Sequence, residues 1–118
     1  KITLIVPVPL HSRRKRKRGF NQAEIVAKVL SENTGIAMDA GAVKRIKATS
    51  PQKELGDKGR KRNIRGAFAV QKNVKGENIV LIDDIYTTGS TLDEAARVLK
   101  KAGAENVYFL TVSIGQGI

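Results

Sequence analysis

The sequence predicts an α/β domain built on a mainly parallel, open sheet flanked by helices. Three observations carry that expectation. Residues 2–8 and 79–82 are short, almost continuous apolar runs rich in Val and Ile, the pattern of strands buried on both faces. Two longer stretches repeat apolar residues at helical spacing instead: Ala23, Val26, Ala27 and Leu30, then Leu92, Ala95, Ala96 and Leu99. The two kinds of segment alternate along the chain, and strands that alternate with helices pair in parallel with the helices packed on the sheet faces.

Taken in order, the run 2–8 ends at Pro7 and Pro9, because proline has no N–H to give a ladder. A basic stretch, 11–19, follows. The helical pattern starts at Asn21, and Asn33 with Gly35 supplies its stop. Residues 42–46 read as a second strand. Residues 47–63 are polar and charged, with only Ala48 and Leu55 apolar and Pro51, Gly56 and Gly59 inside. So long a stretch without a pattern reads as a functional lid rather than a connector. A short strand over 67–70, a turn around Gly76, the strand 79–82, a helix over 90–102 stopped by Gly103, and a last strand over 107–114 complete the chain. No internal repeat interrupts it, so residues 1–118 are expected to form a single domain.

Composition narrows the function. An apolar share of 41% belongs to a folded protein. With three Phe, two Tyr and no Trp, the core must be aliphatic, and binding of single-stranded nucleic acid by base stacking has little support. There is no Cys, which excludes a disulfide framework and a cysteine metal site, and His11 alone cannot build a histidine one. No apolar run approaches the length of a membrane span and the first residues do not form a signal peptide, so a soluble cytoplasmic protein without a membrane partner is expected. The chain starts at Lys1, already inside an apolar run, which reads as a domain excised from something longer or a trimmed terminus. The net charge of +11 calls for an anionic partner: nucleic acid, acidic lipid and a polyphosphate metabolite all fit.

Position along the fold separates these. Ligands of open parallel sheets bind beyond the carboxyl ends of the strands. Two stretches leave such ends, 9–19 and 84–89, and both carry unusual chemistry. Asp83 and Asp84 follow four apolar strand residues; burying adjacent carboxylates is costly, so they are expected where the strand meets solvent. Thr87, Thr88, Gly89, Ser90 and Thr91 then offer four hydroxyls and a flexible glycine at the start of a helix. A helix N-terminus presents unpaired N–H groups and a partial positive charge, which suits a phosphate. A sugar monophosphate fits this order, with the carboxylates accepting from ribose hydroxyls and the turn holding the 5′-phosphate. The plainer reading is a helix N-cap beside two solvated aspartates. No Gly-Lys-Thr/Ser nucleotide loop and no dinucleotide fingerprint is present.

The whole string 80–91, Val-Leu-Ile-Asp-Asp-Ile-Tyr-Thr-Thr-Gly-Ser-Thr, is more specific than either half. It resembles the motif with which type I phosphoribosyltransferases bind phosphoribosyl pyrophosphate (PRPP). Further stretches sharpen the likeness: Val-Pro-Val-Pro-Leu at 6–10, Arg-Gly-Phe-Asn-Gln at 18–22, Thr49, Gln52 and Leu55, Arg60, Arg62 and Asn63, and Gly-Ala-Phe at 66–68. Together they resemble the ComF-like phosphoribosyltransferase family linked to bacterial competence, across nearly the whole chain.

That resemblance implies the type I phosphoribosyltransferase fold and a set of roles. Asp83 and Asp84 would hold the ribose hydroxyls and favour a cationic ring, and Thr87, Thr88, Gly89, Ser90 and Thr91 would bind the 5′-phosphate. Arg18 and Gly19, at the end of the six cations 13–18, would approach the pyrophosphate. Lys53 and Arg60 are the cations that the lid 47–63 would bring to it; an exposed solubilising role for either is equally open. Mg²⁺ would arrive with PRPP rather than on a ligand set of the protein. The implied reaction is glycosyl transfer from PRPP to a nitrogen acceptor, unidentified, with release of pyrophosphate. The alternative is a PRPP-sensing or competence accessory protein without catalysis that binds DNA through its basic loops. Homodimers are common in this fold family. Two departures stand out: the family's usual N-terminal cysteine zinc module has no counterpart here, and Thr87 occupies the place of the Asp that serves as base in enzymes acting on 6-oxopurines.

Overall fold

The computed structural model describes residues 1–9, 21–46, 64–84 and 89–112. Its centre is a four-stranded parallel sheet of β1 (Leu4–Pro7), β2 (Ala37–Met38), β5 (Asn78–Asp84) and β6 (Asn106–Val112), in the order β2-β1-β5-β6. A separate antiparallel pair is formed by β3 (Val43–Arg45) and β4 (Phe68–Val70). Helix α1 (Gln22–Thr34) follows β1, and helix α2 (Gly89–Lys101) follows β5. The α/β class and the parallel sheet stand as the sequence predicts.

Each helix is bounded by its own sequence. The Asn21 side chain accepts from the backbone N–H of Ala23 at 3.0 Å, filling one of the orphan donors of the first turn. At the other end Gly35 takes a left-handed φ of 77° and its N–H closes on Ser31 O; a side chain there would be strained, which is why a glycine ends the helix. In α2, Leu92, Ala95 and Leu99 are buried at the expected helical spacing.

The sheet separates two apolar layers. On one face Ile79 and Leu81 of β5 and Val6 of β1 pack with Leu92, Ala95 and Leu99 of α2 and with Val43 and Phe68 of the hairpin. On the other, Ile5 and Ile82 pack against Ala23 and Ala27 of α1, with Val26 and Leu30 alongside. The alternation of neighbours between the two layers is the period of two that a strand imposes. Full burial of each large aliphatic side chain contributes about 1.5–3 kcal/mol, which β1 and β5 collect on both faces.

Three expectations change. The strands near 42–46 and 67–70 do not enter the parallel sheet; they pair with each other, antiparallel, and lie over one face. Strand β2, only two residues long, shows no periodicity for the sequence to betray. The last strand is not covered on both faces: Tyr108 is 49% and Leu110 42% exposed, with Phe109 exposed on the opposite side. Among the described residues β6 is an edge strand, paired on one flank with β5, and the two layers reach it at Val107 and Val112 rather than at its centre. Among the described residues no helix is long and apolar enough to cross a membrane.

Candidate functional site

The carboxyl ends of the two central strands lie side by side. Pro7 is opposite Ile82, and the N–H of Val8 donates to Ile82 O at 2.9 Å, so β1 and β5 run together to their ends. The chain therefore leaves β1 toward the basic stretch 13–18 beside the place where it leaves β5 toward the hydroxyl-rich turn. This is the edge at which parallel sheets bind ligands. Helix α2 begins five residues after Asp84 ends β5, so the first turn of that helix belongs to the same edge.

Asp83 is in the strand, opposite Thr111, and only 4% exposed. This corrects the expectation that both carboxylates sit where the strand meets solvent. The reason is that β5 runs on to Asp84, opposite Val112, with β6 beside it throughout. By strand alternation Asp83 shares the face of Ile79 and Leu81, the one that α2 covers. Asp84 is the last strand residue. Gly89 and Ser90 open α2, and Thr91 is buried in its first turn. Thr87, Thr88, Arg18, Gly19, Lys53 and Arg60 lie outside the described residues, as does the whole span 47–63 expected to act as a lid.

The ends of those stretches are described, and each is tied down. Asn21, besides capping α1, donates from Nδ2 to Val8 O at 3.1 Å, so the chain that leaves β1 returns to the same point. At the hairpin, Ile46 N–H donates to Ala67 O at 2.7 Å, which brings residue 46 beside residue 67 at the root of 47–63. The Arg45 guanidinium sits 5.1 Å from the Phe68 ring centroid, a cation–π contact on the same root.

One feature of the site escaped the sequence. Glu94 of α2 is 7% exposed and accepts the Gly66 N–H at 3.0 Å, 28 residues away in the chain. Arg97 holds the same carboxylate in a fork, Nε to Oε1 at 2.8 Å and NH2 to Oε2 at 2.6 Å. The Arg97 hydrogen bonds are the main cause that keeps the Glu94 carboxyl below its ordinary range; burial opposes them, and the Gly66 N–H adds to them. In return the Arg97 guanidinium is pushed up. The i,i+3 spacing of Glu94 and Arg97 was visible in the sequence and would have marked the pair, though not the Gly66 partner.

A parallel sheet whose second central strand ends in two carboxylates, with a helix beginning five residues later, defines an open α/β domain with a candidate site at the carboxyl edge of its strands. Comparison with known proteins makes the class specific. The phosphoribosyl transferase domain family matches residues 16–114. The DNA utilization protein YhgH of Salmonella typhi is 43% identical over 103 residues, 87% of this chain. Competence protein F of Haemophilus influenzae is 42% identical over 106 residues, and competence protein ComFC of Bacillus subtilis 36% over 112. This chain belongs to the phosphoribosyl transferase domain family, as a ComF-like type I member. It spans less than half the length of these relatives, 43% to 46% of each. The solved structure of the allosteric regulatory enzyme of purine biosynthesis superposes on 94% of the chain with a TM-score of 0.58 at 21% identity, covering 22% of that enzyme; this likeness concerns the fold.

Proposed function

We propose that this domain binds PRPP and transfers its phosphoribosyl group to a nitrogen nucleophile, releasing pyrophosphate. The observation that carries the reading is the edge shared by β1 and β5, where Asp83 and Asp84 end one strand directly ahead of the helix that Gly89 begins. Gly89, Ser90 and Thr91 in the N-terminal turn of α2, with Thr87 and Thr88 just before it in the sequence, would take the 5′-phosphate on backbone N–H groups and hydroxyls. Asp83 and Asp84 would accept from the ribose hydroxyls and favour the positive charge that builds on the ring. Arg18, Gly19, Lys53 and Arg60 would meet the pyrophosphate. The bond from the anomeric carbon to the pyrophosphate oxygen breaks with its electron pair leaving on pyrophosphate. A nitrogen–carbon bond forms, and the nitrogen gives up a proton. Electrostatic stabilisation of the leaving group is the largest contribution such residues make. Mg²⁺ carried by PRPP would neutralise part of the same charge.

The decisive experiment is a PRPP-consumption assay across nucleobases and amines, paired with calorimetry of PRPP binding in the presence of Mg²⁺. Saturable binding and stoichiometric pyrophosphate release are expected. Absence of binding by the wild-type protein ends the proposal.

A second reading is favoured by the charge of +11 and by relatives named for DNA utilization and competence. Here the domain would act on or beside DNA, holding its backbone through the cations 13–18. Such binding weakens steeply with salt, with a slope set by the number of phosphates neutralised. A DNA titration at several salt concentrations, with and without PRPP, separates the two: backbone binding follows the salt, whereas competition by PRPP assigns the cations to the metabolite.

A further inference from the structure

Strand β6 carries a surface that the proposed site does not use. Its sequence, Asn-Val-Tyr-Phe-Leu-Thr-Val, holds no charge, no Pro and no Gly, and Tyr108, Phe109 and Leu110 in its middle are all exposed. Native proteins blunt their edge strands with lysine, proline, a bulge or brevity. β6 has none of these: its ladder with β5 runs without a bulge from Asn106 to Val112. The opposite edge, β2, is blunted by its length of two residues.

The exposed side chains do not share a face. Tyr108 and Leu110 stand opposite Val80 and Ile82, on the side that α1 covers, whereas Phe109 stands opposite Leu81, on the side of α2. A helix laid on either face would cover only one set. A strand added edge-on reaches both, because its own side chains alternate in the same way. The strand that fits is β6 itself. When two copies pair antiparallel about a two-fold axis at Phe109, each Tyr108 lies opposite the partner's Leu110, and Phe109 lies opposite the partner's Phe109. Every large exposed side chain of the strand thus gains an apolar counterpart on its own face, the kind of cross-strand pair that stabilises a sheet. Although the chain has a net charge of +11, neither strand brings a cation into the seam.

We propose that β6 is a dimerisation strand, through which two copies of this chain join edge to edge, antiparallel and centred on Phe109, into one continuous sheet. The pairing consumes the long edge of each copy. β2 offers too short a ladder to add a third, so association closes at the dimer.

Sedimentation equilibrium from about 1 µM to about 1 mM spans the affinities expected of a small interface. The mass is expected to rise from 12.8 kDa to twice that value and no further. Phe109→Lys sets two like charges across the axis and should weaken the dimer by at least about a hundredfold. Ile25→Lys, at an exposed side chain on α1 outside the seam, should dimerise as wild type does. Cross-linking reads the register, since the chain has no Cys. Directly opposed residues have Cα atoms about 4.5–5.5 Å apart, within reach of a disulfide, so Phe109→Cys should form a covalent dimer under mild oxidation. Thr111, also exposed, would lie about 14 Å from its own counterpart in this register, so Thr111→Cys should not. Thermal midpoints check that the variants fold, and the cysteine pair decides the matter even if Phe109→Lys does not. A wild-type protein that stays monomeric or grows beyond the dimer overturns the proposal. So does a folded Phe109→Lys that still dimerises, an Ile25→Lys that does not, or cross-linking as ready through Thr111→Cys as through Phe109→Cys.

Discussion

Asn21 donates through Nδ2 to the carbonyl oxygen of Val8 at 3.1 Å, joining the residue that caps α1 to the residue that follows β1. Both partners are buried. The basic stretch between them thus begins and ends at one point, beside the carboxyl end of β5, whatever course it takes in between. Asn21→Ala removes a helix cap and leaves a buried carbonyl without this donor, which together should destabilise the fold by about 2–3 kcal/mol. Asn21→Ser keeps an N-cap oxygen but cannot reach Val8, and should lose roughly half as much. Urea unfolding midpoints of the two variants test the division.

Asp83 is expected to separate binding from folding. Asn is isosteric with it and neutral, so Asp83→Asn should still unfold cooperatively near the wild-type midpoint while PRPP affinity falls by at least about tenfold, the value of one charge-assisted hydrogen bond. Calorimetry and thermal melting on the same preparation check both halves. Retained PRPP affinity would remove Asp83 from the proposed site.

Glu94 makes stability depend on acidity in a definite direction. The Arg97 hydrogen bonds, aided by the Gly66 N–H, hold its folded-state carboxyl below the ordinary glutamate value of 4.5 against the opposing effect of burial. An unfolded chain takes up the proton at the ordinary value and the folded one resists it. The pair's stabilisation is therefore full above 4.5 and is lost as pH falls through the lower folded value. Denaturant midpoints of wild type and Glu94→Gln, followed from about pH 7 down to about pH 3, should differ most at neutral pH and converge in acid. A constant gap across that range would contradict this.

Leu99 and Leu110 offer a contrast within one residue type. Leu99 is fully buried between α2 and the sheet, and Leu99→Ala should cost about 2–5 kcal/mol through lost burial and the cavity left behind. Leu110, exposed on the edge strand, should change stability by about 0.5 kcal/mol or less when replaced by Ala. Leu110→Lys should leave folding intact and make the edge less prone to pair with another chain, read as reduced light scattering at high protein concentration.

The legibility of the site followed the range of its interactions. The two helices announced themselves, because their spacing, the Asn21 cap and the Gly35 stop are all local. So did the strand 79–82 and the acids after it, along with the motif that carried the family resemblance. The burial of Asp83 was not legible: it depends on β6 running alongside β5 to Val112, a partnership made across more than twenty residues. Gly66 stood in the sequence only as part of the Gly-Ala-Phe run at 66–68, and the tertiary structure alone reveals that its N–H has a buried carboxylate to meet.

By itself, then, the sequence determined the α/β class, the order of the main elements and the chemistry placed at the ends of two strands. Those properties follow from periodicity, capping and the run of residue types, which act within a few residues of one another. Only the tertiary structure decided that β3 and β4 pair outside the parallel sheet, that β1 and β5 are neighbours whose carboxyl ends coincide, that β6 is left at an exposed edge, and that Glu94 braces Gly66. Each of these is a choice among distant partners. Backbone donors and apolar faces are alike everywhere along a chain, so packing alone selects which of them meet.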